Sequence, residues 1–383
     1  MVPSWLTFRG RSAALLVLWA CILFVAYLAS QPASVTQWSV GYWTPRGNPQ
    51  LPPSAIEWDA LTHVVYWGGL VNSDGSLDLT TQQVPTYAPE LVSTAHANGV
   101  KAMLAVSQPY WQHKANSLRQ AAASNRAILV ANILNAVTTY GFDGVDIDWE
   151  PFSASTDGPI LQSLASDLRG GLGAGILTAD AIVTDNAYWG SVQSYFGRVN
   201  VMTYDLTGTW NPYSWHNSAL YGPGSVVFSV DLAANRFIAS GVPASKLSIG
   251  IPFYGWHWTG GQLQSDPSQG ITAPRQRWSL APNLKQTYYQ GLAAKVAAGN
   301  YNWDSQARVP YLSVGGPGSA DCQFITYDNE QSVAEKVKYV KNNNLGGWII
   351  WELVGDYLPS QVPTQPLLNA IAKAQSGSGS SVP

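Results

Sequence analysis

The chain has 383 residues, a formal net charge of −3 and only 11% charged residues. It therefore lacks the basic surface that a nucleic-acid partner demands, and none is expected. Two cysteines, Cys21 and Cys322, offer no disulfide framework, so the fold must stand on its core. Seventeen Trp and nineteen Tyr supply many flat apolar faces of the kind that stack on sugar rings, which favours a carbohydrate ligand.

Residues 1–30 read as an export element, because Arg9 and Arg11 precede an apolar run over residues 13–29. The run is long for a cleaved signal and short of the roughly 20 residues that a span needs. It fits cleavage near Ser30 and equally an uncleaved anchor, and either way the rest of the chain is expected to work outside the cytoplasm, secreted or tethered.

From residue 31 onward, short apolar runs alternate with helical patterns, the order of repeated βα units around a parallel sheet. Strands are expected near residues 38–44, 61–68, 100–107, 142–150, 175–183, 198–205, 246–254 and 345–353. Eight is the number that closes a barrel, so the expected fold class is α/β, a (β/α)8 TIM barrel. A helix is expected over 118–139, with Leu118, Ala122, Leu129, Ile133 and Val137 at helical spacing and Gly141 as its stop. Another is expected from Asp231, as N-cap, to Ser240, with Gly241 just beyond.

Residues 256–323 interrupt the rhythm. They are too many for a loop in a compact domain and hold a helical pattern near Leu284 to Val296, so a small α+β insertion lobe is expected before the last strand. The barrel would then comprise residues 31–255 and 324–373, with a disordered Gly/Ser-rich tail over 374–383. A monomer is expected.

Residues 141–150 read Gly-Phe-Asp-Gly-Val-Asp-Ile-Asp-Trp-Glu. Side chains alternate across a strand, so Asp146, Asp148 and Glu150 share one face while Val145, Ile147 and Trp149 take the other. A solvated stripe on an edge strand would mix both signs in polar sequence, and this segment does neither. Acids packed this closely cannot all ionise at ordinary pH, and at least one should keep its proton well above the usual range, as catalytic acids do. Glu150 would close the strand at the barrel mouth, with Pro151 holding it extended.

Asp143, Asp146, Asp148 and Glu150 resemble the Asp-x-x-Asp-x-Asp-x-Glu pattern of family 18 glycoside hydrolases, the chitinase family. Val-Met-Thr-Tyr-Asp (201–205), Ile-Gly-Ile-Pro-Phe-Tyr-Gly (249–255) and Gly-Gly-Trp-Ile-Ile-Trp-Glu-Leu (346–353) follow in the family's order. The resemblance implies hydrolysis of β-1,4-linked N-acetylglucosamine polymers with retention, the substrate's own acetamido group acting as nucleophile and Glu150 as general acid and base. It further implies that Asp148 orients the acetamido nitrogen, that Asp146 shares a proton with Asp148, and that Asp143, grouped with the substrate-binding set, supports the strand from below. Tyr204 would hold the acetamido group and Asp205 a sugar hydroxyl. Trp351 would form the aromatic floor, with Tyr42, Met202 and Tyr254 lining the same pocket. Trp43, Trp67, Tyr110, Trp111, Trp210, Trp256 and Trp258 are further candidates for the rim.

Two departures bear on the substrate: Ser107 and Gln108 stand where the family often has glycines, and Pro151 and Phe152 replace Tyr-Pro. A peptidoglycan or N-glycan endo-N-acetylglucosaminidase, or a non-catalytic chitin-binding lectin, are the alternatives. The five His (63, 96, 113, 216, 257) show no ligand spacing, so neither metal nor cofactor is expected.

Overall fold

The computed structural model describes residues 37–377 apart from 48–49, 109–115, 224–227, 297–299 and 316–321. The expected export element at 1–30, with Cys21, lies outside the described residues. So do Tyr110, Trp111, His113 and positions 378–383 of the expected tail.

Eight parallel strands form a closed barrel: β1 (Trp38–Trp43), β2 (His63–Val71), β3 (Lys101–Ser107), β4 (Gly144–Asp148), β5 (Ile176–Ala181), β6 (Arg198–Val201), β7 (Leu247–Pro252) and β8 (Gly347–Trp351). β1 closes the ring by pairing with both β8, Trp38 opposite Gly347, and β2, Val40 opposite His63. Each strand is short and apolar on its outer face. Val145 and Ile147 of β4 join a core with Leu129, Ile133, Leu164 and Leu168 of the surrounding helices, each such side chain stabilising the fold by roughly 1.5–3 kcal/mol. Gly144 is required at the start of β4, because a Cβ there would stand 2.1 Å from the Ile176 carbonyl oxygen. The barrel interior holds a second apolar cluster that includes Val40, Val65, Met103 and Ile349.

The expected helix over 118–139 is two helices, Ser117–Ser124 and Arg126–Tyr140. They break at Asn125, whose side-chain amide donates to the Ser73 carbonyl at 3.0 Å. Gly141 ends the second in the left-handed region, φ 73°. The helix expected from Asp231 runs over Val230–Ala239 and is capped by Ser229, whose hydroxyl accepts from the Leu232 amide. Asp231 instead accepts from the Tyr339 hydroxyl.

Between β7 and β8 a five-stranded antiparallel sheet is ordered 283–288, 254–259, 323–326, 309–314, 301–304. The helix expected from Leu284 starts only at Tyr289, because residues 283–288 pair in full with 254–259. Residues 374–376, expected in the tail, complete the helix Pro366–Ser376. That helix is tied to the barrel by Asp356, which is buried and accepts from the Leu368 amide at 2.8 Å.

Candidate functional site

The C-terminal ends of the strands open into a cleft of about 450 Å³, walled on one side by Tyr254, Trp256, Gln286 and Tyr288 of the inserted sheet. Glu150 lines it. The β3–β4 ladder ends at the pair Ser107 and Asp148, so Glu150 stands two residues beyond the strand it was expected to close. Its backbone is held from the side: the Gln108 amide donates to the Glu150 carbonyl at 2.7 Å, and the Glu150–Pro151 peptide bond is cis. Burial, followed by the negative charges of Asp148 and Asp205, pushes the Glu150 carboxyl up to about 8. At neutral pH it is an acid with a proton to give.

Asp148 lines the cleft below it. The Trp67 indole donates to Asp148 Oδ2 at 2.7 Å, while Oδ1 is buried with no hydrogen-bond partner among the described residues. Burial raises its pKa, opposed by the hydrogen bonds from Trp67 and Ser107. Asp146 is fully buried behind it and accepts from Tyr42 at 2.7 Å, from Thr178, and from Asn200 at 3.3 Å. Burial is the main cause that pushes Asp146 up to about 6. The proton sharing expected between Asp146 and Asp148 is not the contact seen here: Asp146 turns sideways to β1, β5 and β6.

Tyr204 lies three residues past β6, with its ring 6.0 Å from Tyr254 in an edge-on contact. Gly250 makes room for it, since a Cβ at that position would stand 2.7 Å from the ring. Asp205 follows in the left-handed region, φ 53°, its amide donating to Asn217 at 2.8 Å. Asp205 Oδ1 accepts from Tyr254 and from Trp256, both at 2.7 Å. Trp351 ends β8, 5.6 Å from Tyr42 and 5.9 Å from Trp67, and the cleft-lining Met202 packs on the same group. Trp351 and Trp67 thus bring apolar ring surface into the cleft beside a row of acids, a combination suited to the face and hydroxyl edge of a sugar.

Several expected site residues sit elsewhere. Asp143, grouped with the substrate-binding set, is at the opposite end of β4, where Lys101 donates to it at 2.7 Å, the Ala102 amide at 2.9 Å, and His96 lies at 2.8 Å. It fastens β4 to β3 and does not reach the cleft. Tyr42 does not line the cleft either; its buried hydroxyl is spent on the acids behind Asp148. Trp43 points outward into the helix layer and donates to the Leu51 carbonyl, and Trp258 is buried against Trp278 and Phe324 of the inserted segment. Trp210 is 68% exposed.

Among the cleft residues that escaped the sequence reading are Asp180, Glu352 and Arg46. Asp180 is a lone acid in the apolar strand Ile-Leu-Thr-Ala-Asp-Ala, which is itself a signal, since an unpaired acid in such a run needs a partner. Glu352 is buried, accepting from Thr44 and Tyr288, both at 2.5 Å. Arg46 lies over the Trp67 ring at 4.8 Å.

The sequence profile of glycosyl hydrolases family 18 matches residues 39–356. The chain is 30% identical over 295 residues to Chitinase A1 of Niallia circulans, covering 67% of this chain but 41% of that one. It thus spans less than half the length of that relative. It is 25% identical over 356 residues to a class V chitinase of Arabidopsis thaliana, covering 88% of this chain and 91% of the other. The solved structure of an Ostrinia furnacalis Group IV chitinase in complex with allosamidin superposes with a TM-score of 0.77 at 24% identity, over 90% of this chain and all of that one, a likeness of fold.

Proposed function

The chain belongs to glycosyl hydrolase family 18, and from that membership we propose that it hydrolyses β-1,4-linked N-acetylglucosamine chains, chitin or chitooligosaccharides, with retention of configuration. The observation that carries this reading is the pairing, in one cleft, of Glu150, protonated at neutral pH, with Asp148, whose buried Oδ1 has no partner among the described residues.

Glu150 gives its proton to the glycosidic oxygen as the bond to the anomeric carbon breaks. The acetamido oxygen of the same sugar attacks that carbon and closes an oxazolinium ring, while Asp148 Oδ1 accepts from the acetamido N–H and offsets the positive charge. Water then attacks the anomeric carbon, Glu150 takes its proton, and the ring reopens. Tyr204 would donate to the acetamido oxygen, Asp205 would take a hydroxyl, and Trp351 would carry the apolar face of the sugar. The wall from the inserted sheet deepens the cleft and favours extended chains. We further propose, from residues 1–30 alone, that the protein acts outside the cytoplasm, and that it acts as a monomer.

Release of product from chromogenic chitooligosaccharides tests the reading. Binding without release would leave a lectin, and digestion of cell wall or glycoprotein in preference to chitin would move the substrate to the muramyl or N-glycan class.

A further inference from the structure

Asp180 has no part in the steps above, although it lines the cleft and is buried beside Asp146. The Tyr42 hydroxyl lies 2.7 Å from Asp146 Oδ2 and also 2.7 Å from Asp180 Oδ1. A phenol has one hydrogen and can donate to only one of them. The other contact is a hydrogen bond only if that carboxyl holds a proton and donates it to the phenol oxygen.

Among the described residues, no cation is seen to act on Asp146 or Asp180. The groups facing Asp180 are Tyr42 on β1, Asp146 and Asp148 on β4, Asn200 on β6 and Tyr204 beyond β6. Two ionised carboxylates around one buried hydroxyl, with only neutral groups and a third acid facing them, would be unpaired buried charge, which proteins avoid by keeping a proton.

We propose that Asp146 and Asp180 hold one proton between them, relayed by Tyr42, so that the pair carries a single negative charge and Asp148 is left as the carboxylate that faces the sugar. Asp180 is thereby a positioning residue that acts through Asp146. The purpose of the pair rests on the proposed hydrolysis; the proton itself does not. The upward shifts of both acids, burial being the first cause for each, fit the shared proton.

Infrared difference spectroscopy on the full chain at neutral pH tests it without turnover. Glu150→Gln first removes the protonated carboxyl of Glu150 from the spectrum. That variant should show a carboxylic-acid C=O stretch, sensitive to D2O, that vanishes when Asp180→Asn is added; an identical band in both proteins overturns the proposal. If Asp180→Asn does not fold, Tyr42→Phe in the Glu150→Gln chain should shift the band, and an unmoved band overturns the relay. In the otherwise natural chain, Asp180→Asn replaces a protonated acid by an amide of equal charge, so the alkaline limb of kcat/KM should stay in place. A fall of about one pH unit, the size expected on losing a nearby like charge, would mean that both acids were ionised and would also overturn the proposal. A chain that shows the band but no hydrolysis would refute the function and leave the pair standing.

Discussion

A neutral substitute for the acid should make the protein more stable while removing its activity. Glu150 has an ordinary value of 4.5 and is pushed up to about 8 in the folded chain. Between those two values the folded state binds a proton that the unfolded state has released, so stability falls as pH rises through that window and is undiminished below it. pH 7 lies 2.5 units above the ordinary value of 4.5 that the unfolded carboxyl keeps, which amounts to about 3 kcal/mol, and nearer 2 kcal/mol once water at the cleft mouth is allowed for. Glu150→Gln removes this burden. For a barrel of about 340 residues the unfolding entropy is of order 0.7 kcal/mol per kelvin, so Tm should rise by about 3 °C at pH 7. At pH 4 the two proteins should melt together, because the glutamate is then protonated in both states. Calorimetric scans of both proteins at the two pH values measure this, alongside a loss of roughly 10²–10⁴ in kcat. If the substituted protein is no more stable relative to the natural one at pH 7 than at pH 4, the acid is not held neutral by its surroundings, and the reasoning fails.

The same shift predicts an alkaline limb of kcat/KM near pH 8; Asp205→Asn removes a like charge and should move it down by a fraction of a unit, since burial and Asp148 remain, and an upward move in the pH–rate profile would contradict this. Trp67→Phe takes away the indole donor at 2.7 Å from Asp148. A hydrogen bond to a charged group is worth about 1.5–3 kcal/mol, so kcat/KM should fall by roughly 10- to 100-fold, and steady-state kinetics within threefold of the natural protein would rule out the role of that contact. Asp143→Asn should lower Tm, by about 1 kcal/mol of stability through loosened contacts to Lys101 and Ala102, yet leave the pH–rate profile in place; a moved profile would mean that this residue reaches the chemistry after all.

The barrel was legible because each strand is a short apolar run between polar turns, and all eight formed close to where that pattern put them. Ends were less legible. Glu150 and Tyr204 continue the alternating pattern of their strands, but the ladders stop at Asp148 and Val201, and pairing is a property of the neighbouring strand. Adjacent aromatics misled for a related reason. Tyr42 and Trp43 differ by one residue and so face opposite sides of the wall, one toward the acids and one into the helix layer. Trp258 shares its strand face with Trp256, yet Trp278 and Phe324 cover it, which no local pattern shows. Ser229 and Asp231 are both good caps two residues apart, and the choice lay with Tyr339, distant in sequence, which engages the aspartate. Asp180 needed three dimensions, because its meaning lies in Tyr42 and Asp146 on other strands.

The stalk that carries Glu150 begins where the hydrogen-bonded wall stops, and it is steadied by the amide reaching over from Gln108 and by Trp149 and Phe152, which pack into the helix layer. Architecture and chemistry are thereby uncoupled at one joint. Residues above the joint can be exchanged to suit another polymer or another acidity without asking the staves below to re-register, and the cylinder can be reinforced from beneath without disturbing the tip.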